Sequence, residues 1–274
     1  MALVMVAACY APHPQAGAPC PTGQCPDPLV CSPATGTCEL TATDAPRGDS
    51  PQPQDARLVD AARDSAVPID AALTATLVQQ QVAHADQSTL AVTLPAMPTA
   101  GNVLVMIGAD EHAPLTNVTG GGVATWTLIT GSQDNTNVEI WYGVTNGTNA
   151  TVTLVGPPLD THPIFANVSE WSGLAATGTV DATRAHSGLS SPADPLAITT
   201  THAHDLVLFG VGDLVPNTYG TPGPGAWTAL TPIDADISLA AWFRIVAVAG
   251  TVHPTVSETE GDWDAAVAAL AIAP

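Results

Sequence analysis

The chain has 274 residues, 46% hydrophobic and 11% charged, and its 25 acidic residues against five arginines give a formal net charge of −20. With no lysine and no arginine cluster to release counterions from a phosphate backbone, nucleic-acid partners are excluded, as is a polybasic contact with a membrane surface. The 25 Pro and 23 Gly interrupt helices too often for a bundle, and with abundant Thr and Val they point to short strands and turns.

Residues 1–9, MALVMVAAC, form an apolar run ending in Val6-Ala7-Ala8-Cys9. This ending resembles a bacterial lipobox, in which small residues precede a cysteine that is lipidated and becomes the new N-terminus. The resemblance implies acylation of Cys9, export to the outer membrane or cell surface, and contact with the membrane only through the lipid. Setting Cys9 aside leaves an even set of four cysteines for pairing. A signal peptide needs a basic n-region and an apolar core of about 7–15 residues. Only eight residues, none of them a cation, precede Cys9, so the start reads as truncated or misassigned upstream.

Residues 10–39 hold Cys20, Cys25, Cys31 and Cys38 at spacings C-x4-C, C-x5-C and C-x6-C. These are longer and richer in Pro and Gly than paired zinc knuckles. In an exported chain they read as two disulfides stapling a mini-module too small for its own core, with three pairings open. The segment looks like the short Cys/Pro/Gly modules near the N-termini of secreted proteins from myxobacteria and their relatives. Residues 40–73 then space Asp44, Asp49, Asp55, Asp60, Asp64 and Asp70 among Ala and Pro, a composition expected to remain a disordered tether. The integrin tripeptide Arg47-Gly48-Asp49 in such a segment reads as chance.

From residue 74 to 274 the pattern changes to short apolar or alternating runs separated by turn residues. Strands are predicted at 90–94, 102–109, 125–129, 138–144, 150–155, 165–171, 196–200, 205–211, 227–230, 237–247 and 265–272. Many strands at this spacing, with no 3.6-residue amphipathic stretch, predict an all-β antiparallel sandwich. Alternation is clean in 150–155, where Ala150, Val152 and Leu154 share one side. Asn146-Gly147 reads as the tight turn of a hairpin joining 138–144 to 150–155. The succession TLPAMPTAGNVLVMIGA, ATWTLI, VEIWYGVTNGTNATVTL, VSEWSGL, VDATRAHSG, HDLVLFGV and DWDAAVAALAIA resembles a secreted bacterial β-sandwich domain of concanavalin A-like jelly-roll type. That resemblance implies an extracellular jelly-roll β-sandwich, found beside adhesion or carbohydrate-associated modules, and implies no catalytic motif.

Glu258, Glu260, Asp262 and Asp264 recur at every second residue, so an extended segment would project them from one face. Four carboxylates there could hold Ca²⁺ or act as paired acids in glycoside hydrolysis, and no other cofactor is expected. A solvated acidic turn is the plainer reading. His202 and His204, in His202-Ala203-His204-Asp205, could chelate a metal if a third ligand came from elsewhere, and Asp110-Glu111-His112 reads as an exposed loop. Trp141, Trp171 and Trp242 lie inside strands and read as core. Trp126, Trp227 and Trp263 lie nearer loop edges and are the candidates for stacking on a sugar. Nucleophile-elbow, zincin and P-loop motifs are absent, and the Asn117, Asn146, Asn149 and Asn167 sequons carry no weight in a bacterial chain. The expected function is a non-catalytic, surface-displayed binding or adhesion module, with a carbohydrate as one candidate ligand. The alternatives are a secreted hydrolase using Glu258 to Asp264 and a purely structural surface lipoprotein.

Overall fold

A computed structural model describes Cys25, residues 29–32 and 37–40, and most of residues 74–273. Cys9, Cys20, the tether with Arg47-Gly48-Asp49, His112 and Glu260 lie outside the described residues. The chain divides into two compact units, Met1–Asp64 and Ser65–Pro274. In the first, β1 (Leu29–Ser32) and β2 (Thr37–Leu40) form an antiparallel hairpin. A disulfide joins Cys25, which precedes β1, to Cys38 of β2, and Cys31 is disulfide-bonded as well, as expected for a stapled module.

The second unit is all-β and antiparallel. Its first half contains β3 (Thr76–Ala85), β4 (Thr89–Thr93), β5 (Val103–Asp110), β6 (Asn117–Gly120), β7 (Thr127–Gly131), β8 (Glu139–Val144), β9 (Thr151–Val155) and β10 (Ile164–Ser172). Its second half contains β11 (Val180–Gly188), β12 (Ile198–Thr200), β13 (Leu206–Asp213), β14 (Thr228–Ala229), β15 (Ile233–Asp234), β16 (Ser238–Ile245), β17 (Gly250–Val252) and β18 (Trp263–Leu270). Two large sheets, ordered β3-β10-β5-β8-β7 and β11-β18-β13-β16-β14, pack face to face. The sandwich expected from the sequence is present, and two further layers are added to it. A small sheet β4-β9-β6 covers the outer face of the first large sheet, and β12-β17 covers that of the second.

The central strands are therefore buried on both faces. In β5, Val105 and Ile107 point into the core between the large sheets, while Leu104 and Met106 pack beneath β4 and β9. In β13, Leu206 and Leu208 face that shared core, and Val207, Phe209 and Val211 face the β12-β17 side. Such strands lose alternation and read as continuous apolar runs. Close approach of the sheets needs small residues: a Cβ on Gly210 would lie 2.6 Å from Ile107 Cγ2, and β18 presents Ala266 and Ala268 to the same space.

The two halves repeat each other. Asp110 of β5 lies opposite Ile164 of β10 as Asp213 of β13 lies opposite Trp263 of β18. Met106 pairs with Trp141 as Phe209 pairs with Trp242, Thr127 with Tyr142 as Thr228 with Phe243, and Ala85 with Ile164 as Gly188 with Trp263. The shared strand order of the two large sheets and these shared registers make the halves an internal repeat. The sequence carries its trace in VLVMIGAD and LVLFGVGD, in WYGV and WFRI, and in ATWTL and GAWTA.

Two sequence expectations are corrected. Asn146-Gly147 does not close a hairpin, because β8 pairs with β5 and β7 while β9 pairs with β4 and β6. The chain instead crosses there from the central to the outer layer. Gly147 supplies the positive φ of 75°, and Asn146 Oδ1 accepts from the Thr148 N–H at 3.0 Å and its hydroxyl at 2.6 Å. The edge strands β3 and β11 are absent from the predicted set. Their sequences, TLVQQQVAHA and VDATRAHSG, bury neither face completely and so lack an apolar signature.

Candidate functional site

The tryptophans do not form a sugar-stacking face. Trp126 is buried with its indole N–H donating to Gly120 O at 3.1 Å, and Trp263 is buried with its N–H on Ser190 O at 2.9 Å. Trp227 is half-buried, donates to Pro224 O at 3.2 Å, and carries the Arg244 guanidinium 5.1 Å above its ring. Loop proximity misled because the outer layers cover the positions where Trp126 and Trp263 enter the fold. Trp171 and Trp242 are core as expected, and Trp141 is half-buried.

The acidic segment also separates. Asp264, inside β18, turns into the buried seam toward the first half. There it accepts from the Ser132 hydroxyl, from the Thr136 N–H at 2.5 Å and from the Thr136 hydroxyl at 3.0 Å. Glu258 and Asp262 approach Asp213 at the end of β13. One face holding Glu258, Asp262 and Asp264 does not form, because Asp264 sits in the strand proper and Glu258 precedes it across a turn.

Asp213 anchors the more suggestive arrangement. Its Oδ2 accepts from Tyr219 O–H and from Asn217 Nδ2, both at 2.7 Å. Burial raises its pKa to about 6; Tyr219 and Asn217 oppose that rise, and Glu258 and Asp262 add to it. Asn217 Oδ1 in turn holds Thr259 through its N–H at 2.9 Å and its hydroxyl at 2.6 Å. Above this network lies a cleft of about 460 Å³ bounded by Asn217, Tyr219, Thr221, Leu230, Ile233 and Trp242. The Tyr219 and Trp242 rings meet edge to face with centroids 6.0 Å apart. The cleft lies beside the segment that joins β14 to β15 along β16, where the Leu230 N–H donates to Ala241 O at 2.8 Å. An apolar wall with a few convergent amide and hydroxyl groups is the usual make-up of a small-molecule site. Sequence reasoning had no signal for it, since its lining residues come from segments with no shared pattern.

The first half carries the counterpart of Asp213. Asp110 and Glu139 are buried at the ends of neighbouring strands, and among the described residues neither Asp110 side-chain oxygen nor Glu139 Oε1 has a hydrogen-bond partner. Burial raises both carboxyls to about 7. Glu139 adds to the shift of Asp110, and the Trp141 N–H, 2.7 Å from Glu139 Oε2, moderates that of Glu139.

His202 and His204 lie on a turn rather than an extended segment. The pair His202–His204 does not form a donor set: His202 gathers instead with Asp205 and with Asp181 of β11, and His204 is not part of that group. Comparisons of the chain with protein families, with curated proteins and with solved structures find no match.

Proposed function

We propose that this protein is a non-catalytic binding module displayed at a bacterial surface, anchored through a lipid on Cys9 and held off the membrane by the 40–73 tether. Its ligand is a neutral carbohydrate taken into the Tyr219–Trp242 cleft. The observation carrying the reading is the cleft itself, in which aromatic edges and the Asn217, Thr218 and Thr221 polar groups converge. A formal charge of −20 disfavours anionic ligands and leaves neutral sugars unopposed. The extracellular placement and the concanavalin A-like resemblance belong to the same proposal.

The full chain, screened against a glycan array and followed by calorimetry on the best ligand, tests it. Thr218 is exposed at the rim, so Thr218→Trp should fill the cleft, weaken binding at least tenfold and leave the melting temperature unchanged. A chain that binds no glycan, or a T218W chain that binds like wild type, overturns the reading. Placement is checked separately: Cys9→Ser should move the protein out of the membrane fraction. A hydrolytic reading is favoured by one observation, the raised Asp213 carboxyl beside Glu258. It would be supported by turnover of a bound glycan that Asp213→Asn abolishes.

A further inference from the structure

Beside the turn before β13, three side chains distant in sequence converge. Asp181 comes from the edge strand β11, His202 from the turn, and Asp205 from the residue preceding β13. One ligand atom of each lies within 4.8 Å of the other two, and His202 Nδ1 stands 3.1 Å from Asp181 Oδ1. The turn is locked in place: the His204 N–H donates to Val246 O at 2.7 Å, and Asp205 O accepts from the Val246 N–H at 3.0 Å. Asp181 is fixed too, by the Thr201 N–H on Oδ2 at 2.5 Å and the Thr201 hydroxyl on Oδ1.

Asp205 itself calls for a counter-charge. It is fully buried, and among the described residues neither of its carboxylate oxygens receives a hydrogen bond from a donor other than a proton shared with Asp181. Its neighbour Asp181 is another carboxylate, which donates nothing when ionised. A carboxylate removed from water beside a like charge is strongly unfavourable unless a cation or a proton stands between them.

We propose that Asp181, His202 and Asp205 bind a divalent transition ion of the zinc class, with three protein ligands and a remaining position for water. An imidazole among the donors suits zinc and its neighbours, whereas Ca²⁺ takes six to eight oxygens. Two ligands on a tetrahedral zinc with bonds of about 2.0–2.1 Å lie roughly 3.3 Å apart, close to the His202–Asp181 separation. The His202 side chain is 63% exposed, so it can close on an ion arriving from solvent while the two aspartates stay put. The site stands apart from the Tyr219–Trp242 cleft and does not depend on what that cleft binds.

The test is calorimetric titration of the EDTA-treated full chain with ZnCl₂, wild type against Asp205→Asn and His202→Ala. Wild type should bind one zinc equivalent more than D205N. H202A should weaken that equivalent at least tenfold, and millimolar CaCl₂ should not displace it. The asparagine keeps the shape of Asp205 and offers Asp181 a donor, so D205N should melt no lower than EDTA-treated wild type. If D205N fails to fold, the exposed H202A carries the test. Equal zinc stoichiometry and affinity in wild type and the folded variants would mean that the two aspartates share a proton, and that result overturns the proposal. Displacement by Ca²⁺ overturns it as well.

Discussion

Glu170 and Asp110 show two ways in which this molecule buries a carboxylate. Glu170, fully buried in β10, accepts from Gln79 Nε2 at 2.5 Å, the Thr99 N–H at 2.8 Å and Asn102 Nδ2 at 2.5 Å. It ties the loop before β5 to the first large sheet. Asp110 has no such donors among the described residues, and burial raises its carboxyl to about 7 instead. Truncating Glu170 to Ala removes a buried acceptor that serves three donors and should cost about 3 kcal/mol in urea unfolding. Asp110→Asn replaces an unpartnered acid by a neutral amide and should be neutral or stabilising at pH 8. A loss there as large as that of E170A would contradict this account. The sequence offered Asp110 only as a loop residue, because nothing local reveals that Glu139, distant along the chain, shares its burial.

At the scale of the element, adjacent residues of a central strand serve different cores. Leu208 points into the space between the large sheets and Phe209 toward β12 and β17. In a strand with one wet face, one of two neighbours would tolerate truncation. Here Leu208→Ala should cost about 2–5 kcal/mol and Phe209→Ala about 3–5 kcal/mol. Thr153→Ala, on the less buried side of β9, should stay within about 0.5 kcal/mol. Chemical denaturation of the three variants checks the layering directly. Central strands were legible because their apolar runs are dense, and β9 because it alternates. The edges β3 and β11 were not, since Gln79, Gln80, Gln81 and Arg184 resemble loop residues until β10 and β18 pair with them.

For the whole molecule, the buried acids set the response to pH. In EDTA-treated protein, burial raises Asp110, Glu139 and Asp205 to about 7 and Asp213 to about 6, and neighbouring carboxylates add to the rise in the three aspartates. Their unfolded values lie near 4. The native state therefore holds protons that the unfolded chain has released, and stability present below pH 4 is lost as pH rises toward 7. Asp181 acts oppositely. Its own burial opposes ionisation, but bonds from Thr201 outweigh this and hold it at about 2, so its contribution falls away only below pH 4. The melting temperature should accordingly be higher at pH 5 than at pH 8, by about 5–10 °C, and flatten above pH 8. A scan showing greater stability at pH 8 would contradict the assignment of neutral buried acids.

Composition and local pattern by themselves determined the all-β class, the antiparallel sandwich, a disulfide-stapled module at the N-terminus, and most central strands. These follow from backbone preferences and from apolar periodicity, which act over a few residues. Tertiary structure decided the four layers, the repeat in register, and the burial of Trp126 and Trp263. It also sent Asp264 away from Glu258 and brought Asp181 to His202 and Asp205. Each of those depends on which strands pair across long stretches of chain. That pairing is fixed by the fit of whole sheets to one another, and no window of sequence contains it.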